Sequence, residues 1–171
     1  LGGVLSREPG GTDLGLGIRQ MLLGDGPVPT SRAEALLFAA DRAQHIAEVV
    51  RPALEAGRNV ITDRSYGSTL AYQGYGRGQA LDDLWVLVEW ASGGVLPDVV
   101  VLLDVPLGEA DLRLTGERDR LEREARDFSE RVVAGFARLA ADDPDRWVVV
   151  DGLGDVDEVA ARVWSAYESR R

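Results

Sequence analysis

Apolar residues recur along this chain at two spacings, and the spacing switches repeatedly. Between residues 31 and 57, Leu36, Leu37, Ala40, Ala43, Ala47 and Val50 return every three to four positions, the period of a helix with one apolar face. Ser31 followed by Glu34 predicts a capping box at its start, Gly57 a C-cap, and Pro52 a kink or division. "NVIT" (59–62), "DVVVLLDV" (98–105) and "RWVVVDG" (146–152) are instead short continuous apolar runs, the pattern of strands buried on both faces of a parallel sheet. "GGVLS" (2–6) reads as a further strand. Helical spacing returns in 13–24, 80–92, 106–116, 125–141 and 155–170, with Pro106 at a first helical position, and "GSTLAYQGY" opens one more helix. Strands alternate with helices, without repeat or linker. The expectation is a single α/β domain over 1–171, a parallel sheet flanked by helices on both faces.

Composition narrows the function classes. The 171 residues are enough for one core, and 45% hydrophobic with 28% charged is ordinary for a globular chain. A net charge of −10 argues against general binding to nucleic acid or an anionic membrane surface. It leaves room for a phosphate ligand held by clustered arginines. All 19 basic residues are Arg, so lysine-dependent chemistry is excluded within this sequence. Without cysteine there is no disulfide and no thiolate metal site. No apolar run is long enough to span a membrane and no secretory signal opens the sequence, so a cytoplasmic location is expected.

Ligands of parallel α/β sheets bind beyond the carboxyl ends of the strands. Those ends carry Arg7–Glu8, Asp63–Arg64, Asp104 and Asp151. After Asp63–Arg64 come hydroxyls, tyrosines, a glutamine and glycines, in "DRSYGSTLAYQGYGRG" (63–78). A guanidinium at Arg64 suits phosphate oxygens and stays charged when desolvated; the rival reading is an Arg paired structurally to a carboxylate. Asp63 reads either as a residue near a cation or as an N-cap. Phe38 and Arg42 share a helix face, as do Thr69 and Gln73, although periodicity alone would put Phe38 in the core. His45, the only histidine, is expected at the surface or an interface rather than in catalysis.

"SREPGGT", "LLFAADRAQH", "DRSYGSTLAYQGYGRG", "PDVVVLLDVP" and "DRLERE" follow one another in an order and at spacings that resemble bacterial thymidylate kinases over essentially the whole chain. The resemblance implies a P-loop kinase-like three-layer sandwich. It implies an enzyme that phosphorylates dTMP to dTDP with ATP and Mg2+ in dTTP biosynthesis, commonly as a homodimer. By the same resemblance Arg64 and Arg19 bind the dTMP phosphate, and Asp63 and Glu8 lie near Mg2+, through water. Glu8 also neighbours the sugar, Phe38 stacks on thymine, and Arg42 bonds its O4. Ser68, Thr69, Tyr72 and Gln73 complete the pocket, with Tyr72 beneath the deoxyribose. A lid at about 114–124 supplies a catalytic arginine, Arg118 or Arg120. The helix bearing Leu84, Leu87 and Val88 with Trp85 and Trp90 is the expected dimer face.

Two departures stand out. The family places a strand, a P-loop and a helix before "REPGG", a unit of about 30 residues, whereas six residues precede Arg7. The expectation is an N-terminally truncated domain that lacks the first strand and P-loop, with no ATP-binding residues assignable and turnover dependent on the upstream segment. Second, Ser65 and Gly67 stand where the family usually has an aromatic or His, and often Asp. The alternatives are a kinase for another nucleoside monophosphate and a nucleotide-binding module without catalysis.

Overall fold

The computed structural model describes residues 3–113 and 118–170. β1 (Gly3–Arg7) leads into α1 (Asp13–Leu23), then α2 (Ser31–His45), a π-helical stretch at Ile46–Val50, and α3 (Arg51–Glu55). β2 (Asn59–Asp63) is followed by α4 (Tyr66–Thr69), which widens into a π-helix at Leu70–Gly76, and by α5 (Leu81–Ser92). The second half runs β3 (Val100–Asp104), α6 (Leu107–Arg113), α7 (Arg126–Asp142), β4 (Trp147–Asp151) and α8 (Val156–Glu168). The expected α/β alternation is present, and every pairing is parallel.

The division expected at Pro52 is present: π turns come just before Pro52, whose ring and missing N–H oppose a regular α turn. One local expectation, the capping box, is corrected. The cap of α2 is Thr30, whose hydroxyl accepts the Ala33 N–H at 3.4 Å; no Ser31–Glu34 box forms, because Glu34 is buried in another network. Among the described residues the strands pair as two ladders, β1 with β2 and β3 with β4. Their two-residue alternation leaves Leu5 and Ile61 exposed on one ladder and Leu103 and Val149 on the other.

The main core joins α2, α4, α5, α7 and β4 through Ala35, Tyr66, Leu70, Leu84, Val88, Ala140 and Trp147. Trp147 anchors it: its indole N–H donates to the Tyr66 hydroxyl at 3.1 Å. Its ring also explains Gly67, where an added Cβ would sit 2.5 Å from Trp147 Cη2. A side chain at position 67 has no room because Trp147 occupies it. A second cluster, Ala71, Phe128 and Val132, packs α7 on the π-helix. Parallel register brings Arg7 opposite Asp63 and Asp104 opposite Asp151, so the polar strand ends of each ladder lie together.

Candidate active site

After Arg7 the backbone turns, and the Glu8 N–H donates to the Asp63 carbonyl at 2.9 Å. The tie brings the "REPGG" loop against the end of β2 and buries the Glu8 carboxylate beneath α2. There its two oxygens are divided: Oε2 accepts Arg42 Nε at 3.0 Å and Oε1 faces His45 Nδ1 at 2.9 Å. Arg42 also donates through Nη2 to the Thr69 hydroxyl at 3.1 Å. Its Nη1 is buried and has no partner among the described residues. A buried donor left unsatisfied costs about 1–3 kcal/mol, so this guanidinium is held on two sides and lacks an acceptor on the third. Phe38, one turn earlier, is half-buried and belongs to neither core cluster.

His45 is not at the surface. It is 1% exposed, with Nε2 at 2.7 Å from the Ser6 hydroxyl. The adjoining Asp41 is also buried; its Oδ1 accepts the Gly10 N–H at 2.9 Å, and its Oδ2 has no partner among the described residues. Burial pushes the Asp41 carboxyl above its ordinary range, and the Glu8 charge adds to this. The Gly10 N–H, His45 and Arg42 oppose the rise without cancelling it. Gly15 permits the fit, since a Cβ there would meet Asp41 Oδ1 at 2.5 Å.

Arg64 follows directly on β2. Its φ is +68°, the one positive value at a non-glycine among the described residues. Such a conformation costs on the order of 1 kcal/mol and concentrates at functional sites. The Thr62 hydroxyl donates to its carbonyl at 3.0 Å, and its guanidinium lies 5.4 Å from the centre of the Tyr72 ring. Tyr72 in turn meets Phe128 and Phe136 edge-on. Beside Arg64, a cavity of about 450 Å3 is lined by Leu5, Ser6, Arg7, Gly10, Gly11 and Asp63. Arg19 reaches back from α1 to the Pro9 carbonyl at 3.0 Å, and Ser68 is half-buried in the first turn of α4.

Gln73 lies one turn beyond Thr69 and also faces α2, but it meets Glu34 rather than the Arg42 end: its Nε2 donates to Oε1 at 2.8 Å. Glu34 further accepts Arg77 twice at 3.2 Å, and accepts Arg120. Burial alone would raise the Glu34 carboxyl, but these donors and the Arg77 charge outweigh it and hold it below its ordinary value.

The structure thus gathers Glu8, Arg42 and Thr69 at the C-terminal part of α2, with Phe38 one turn earlier on that helix, Asp63 tied to Glu8, and Arg64 against Tyr72. It sets Gln73 and Arg120 apart. Arg120 donates to Glu34 and to the Leu22 carbonyl, the latter at 2.7 Å. Arg118 is exposed and pairs with Asp111 at 3.0 Å. Residues 114–117 of the expected lid lie outside the described residues. Both Glu8 oxygens are engaged by side chains of α2, whereas Asp63 is exposed. No cluster of three or more metal-ligating side chains forms among the described residues. The pair missed from the sequence is Ser6 and His45, whose only signal was that the single histidine stands three residues after Arg42.

The sequence pattern of the family described as Thymidylate kinase matches residues 2–163. A thymidylate kinase from Synechococcus sp. (strain JA-2-3B'a(2-13)) is 48% identical over 165 residues, spanning 96% of this chain and 79% of that protein. One from Clavibacter michiganensis subsp. michiganensis (strain NCPPB 382) is 47% identical over 163 residues, 94% of this chain and 77% of the relative. The crystal structure of thymidylate kinase from Ehrlichia chaffeensis superposes with a TM-score of 0.80 at 31% identity, covering 98% of this chain and 81% of that one.

Proposed function

This chain belongs to the thymidylate kinase family, and we propose how its residues divide the work of phosphorylating dTMP to dTDP with ATP. The observation that carries the reading is Arg42, a buried guanidinium fixed by Glu8 and Thr69 with Nη1 unpartnered. A rigid, permanently charged donor selects a ring carbonyl such as O4 of thymine, and rejects the amino group that cytosine carries there. Phe38, half-buried on the same helix face, supplies the stacking surface. Thr69 lines the base edge, and Tyr72 supports the sugar.

Phosphoryl transfer asks a protein mainly to align the acceptor and neutralise spreading charge. Arg64 does this at the dTMP phosphate, with Arg19 on the neighbouring wall and Ser68 at the helix start. Mg2+ bound with ATP neutralises phosphate charge during transfer; of the residues described, Asp63 suits contact with it through water. Arg118 is the lid arginine left accessible for the transferring group. The protein acts on cytoplasmic nucleotide pools.

We further assign a homodimer face to α2 and α5. Leu84 and Val88, expected there, belong to the core instead. The outward face carries Leu36, Val86 and Trp90, 55%, 68% and 82% exposed, around a cavity of about 590 Å3 that Leu87 also lines. An apolar patch rimmed by polar residues is the usual mark of a protein interface.

The test is calorimetric binding of dTMP, dUMP, dCMP and dGMP, with ADP formation from ATP measured in parallel. Thymine and uracil nucleotides should bind and dCMP should bind at least about tenfold more weakly, the worth of one charge-assisted hydrogen bond. Arg42→Lys keeps a cation opposite Glu8 but loses the fork, and should abolish most of that preference. Equal binding of dCMP, or preference for dGMP, refutes the assignment.

A further inference from the structure

We infer that Ser6, His45 and Glu8 form a buried positioning relay that fixes the plane of the Arg42 guanidinium, and so sets how well the site separates a 4-carbonyl from a 4-amino pyrimidine. The inference rests on the reading of Arg42 as the base contact.

The members come from separate parts of the chain. Ser6 is in β1, Glu8 in the following loop, and His45 and Arg42 are three residues apart in α2. Each link is within hydrogen-bond distance: Ser6 Oγ to His45 Nε2 at 2.7 Å, His45 Nδ1 to Glu8 Oε1 at 2.9 Å, and Arg42 Nε to Glu8 Oε2 at 3.0 Å. A carboxylate only accepts, so Nδ1 carries a proton; when that is the ring's only proton, Nε2 takes the Ser6 O–H. Every donor then has one direction. The loop presses on the chain of bonds: a Cβ at Gly11 would lie 2.7 Å from both His45 Cδ2 and Ser6 Oγ.

Glu8 is the shared element. While His45 occupies Oε1, Arg42 reaches only Oε2, by its Nε, and its Nη1 stays available. Without His45, Oε1 is an unpartnered buried acceptor beside a guanidinium, and the pair would rotate to satisfy it. The cost falls on the free N–H rather than on the phosphate end. The charged groups around His45 are Glu8 from the loop and Arg42 and Asp41 from its own helix.

His45 is the only histidine, so the imidazole 15N spectrum reports one ring. The relay predicts a proton on Nδ1 and an unprotonated, hydrogen-bonded Nε2. Binding of dTMP and dCMP is then compared in the native protein, His45→Leu, His45→Asn and Ser6→Ala. Asn places an amide N–H about where Nδ1 stands; Leu places none. His45→Leu should cut the dTMP-over-dCMP preference about tenfold, with the KM for ATP changed by less than about twofold. His45→Asn should restore most of it, and Ser6→Ala should fall between. A ring protonated on Nε2 alone, or a folded His45→Leu that keeps the native preference, overturns the relay while leaving the kinase reading intact. A native protein with no preference for dTMP over dCMP overturns the base-contact reading, and the relay with it. If His45→Leu does not fold, the native tautomer and Ser6→Ala decide.

Discussion

Glu34→Gln tests the physical account of the helix-to-lid junction most directly. The Glu34 side chain is 1% exposed and is shared by two guanidiniums, Arg77 and Arg120, whose side chains are 18% and 10% exposed. Gln keeps the shape, removes the charge and turns an amino group toward at least one cation. Breaking a buried pair from one side costs about 3–5 kcal/mol. Arg77 retains Glu124 at 2.6 Å, which favours the lower end, about 3 kcal/mol. For a chain of this size each kcal/mol moves Tm by about 2–4 °C, so the variant should melt about 6–12 °C lower at pH 7. The pH dependence has a definite sign. Glu34 has a lowered pKa in the folded protein, so its contribution is complete above the ordinary value of 4.5 and is lost as pH falls through the lower, folded value. Thermal unfolding followed by circular dichroism at pH 7 and at several points below 4.5 should therefore show the deficit of Glu34→Gln shrinking in acid. A loss of less than about 2 °C at pH 7, or a deficit that is constant or grows in acid, would refute the network as described.

Two further outcomes are expected. Gly67→Ala should cost about 1–3 kcal/mol in urea unfolding, because the new methyl overlaps the Trp147 ring. Much of that loss should disappear in a Trp147→Phe background, and strict additivity would show that the overlap is not the cause. Trp90→Glu with Val86→Glu places charge on the exposed α5 face; sedimentation should report a monomer where the native protein is a dimer, with little change in Tm. A native protein that is monomeric at micromolar concentrations removes the dimer assignment.

Much of the architecture was legible because it rests on local periodicity. The run from Leu36 to Val50 has one apolar stripe, and "DVVVLLDV" has none to spare for a helix; each states its own conformation. The alternation of strand and helix then limits the topology to parallel pairing, and the register sets the polar strand ends side by side. That Phe38 and Arg42 share a helix face was readable for the same reason, since spacing along a helix is a local property.

What the pattern could not state is which side chains satisfy one another across elements. Glu34 looked like a capping residue because Ser31 precedes it by three positions, but Arg77 and Arg120, 43 and 86 residues away, claim it. Gly67 looked like an unexplained departure until Trp147, 80 positions on, was found to fill its space. Leu84 and Trp90 sit on one helix, yet one is core and the other exposed, which only the placement of α2 and α7 decides. His45 is the clearest instance: alone it is a polar residue on a helix, and folding makes it the link between Ser6 and Glu8. Local sequence determines conformation because backbone preference and apolar period act over a few residues. Partnership among buried polar groups is decided by tertiary packing, because the cost of leaving any one of them unpaired depends on which distant group the fold brings within 3 Å.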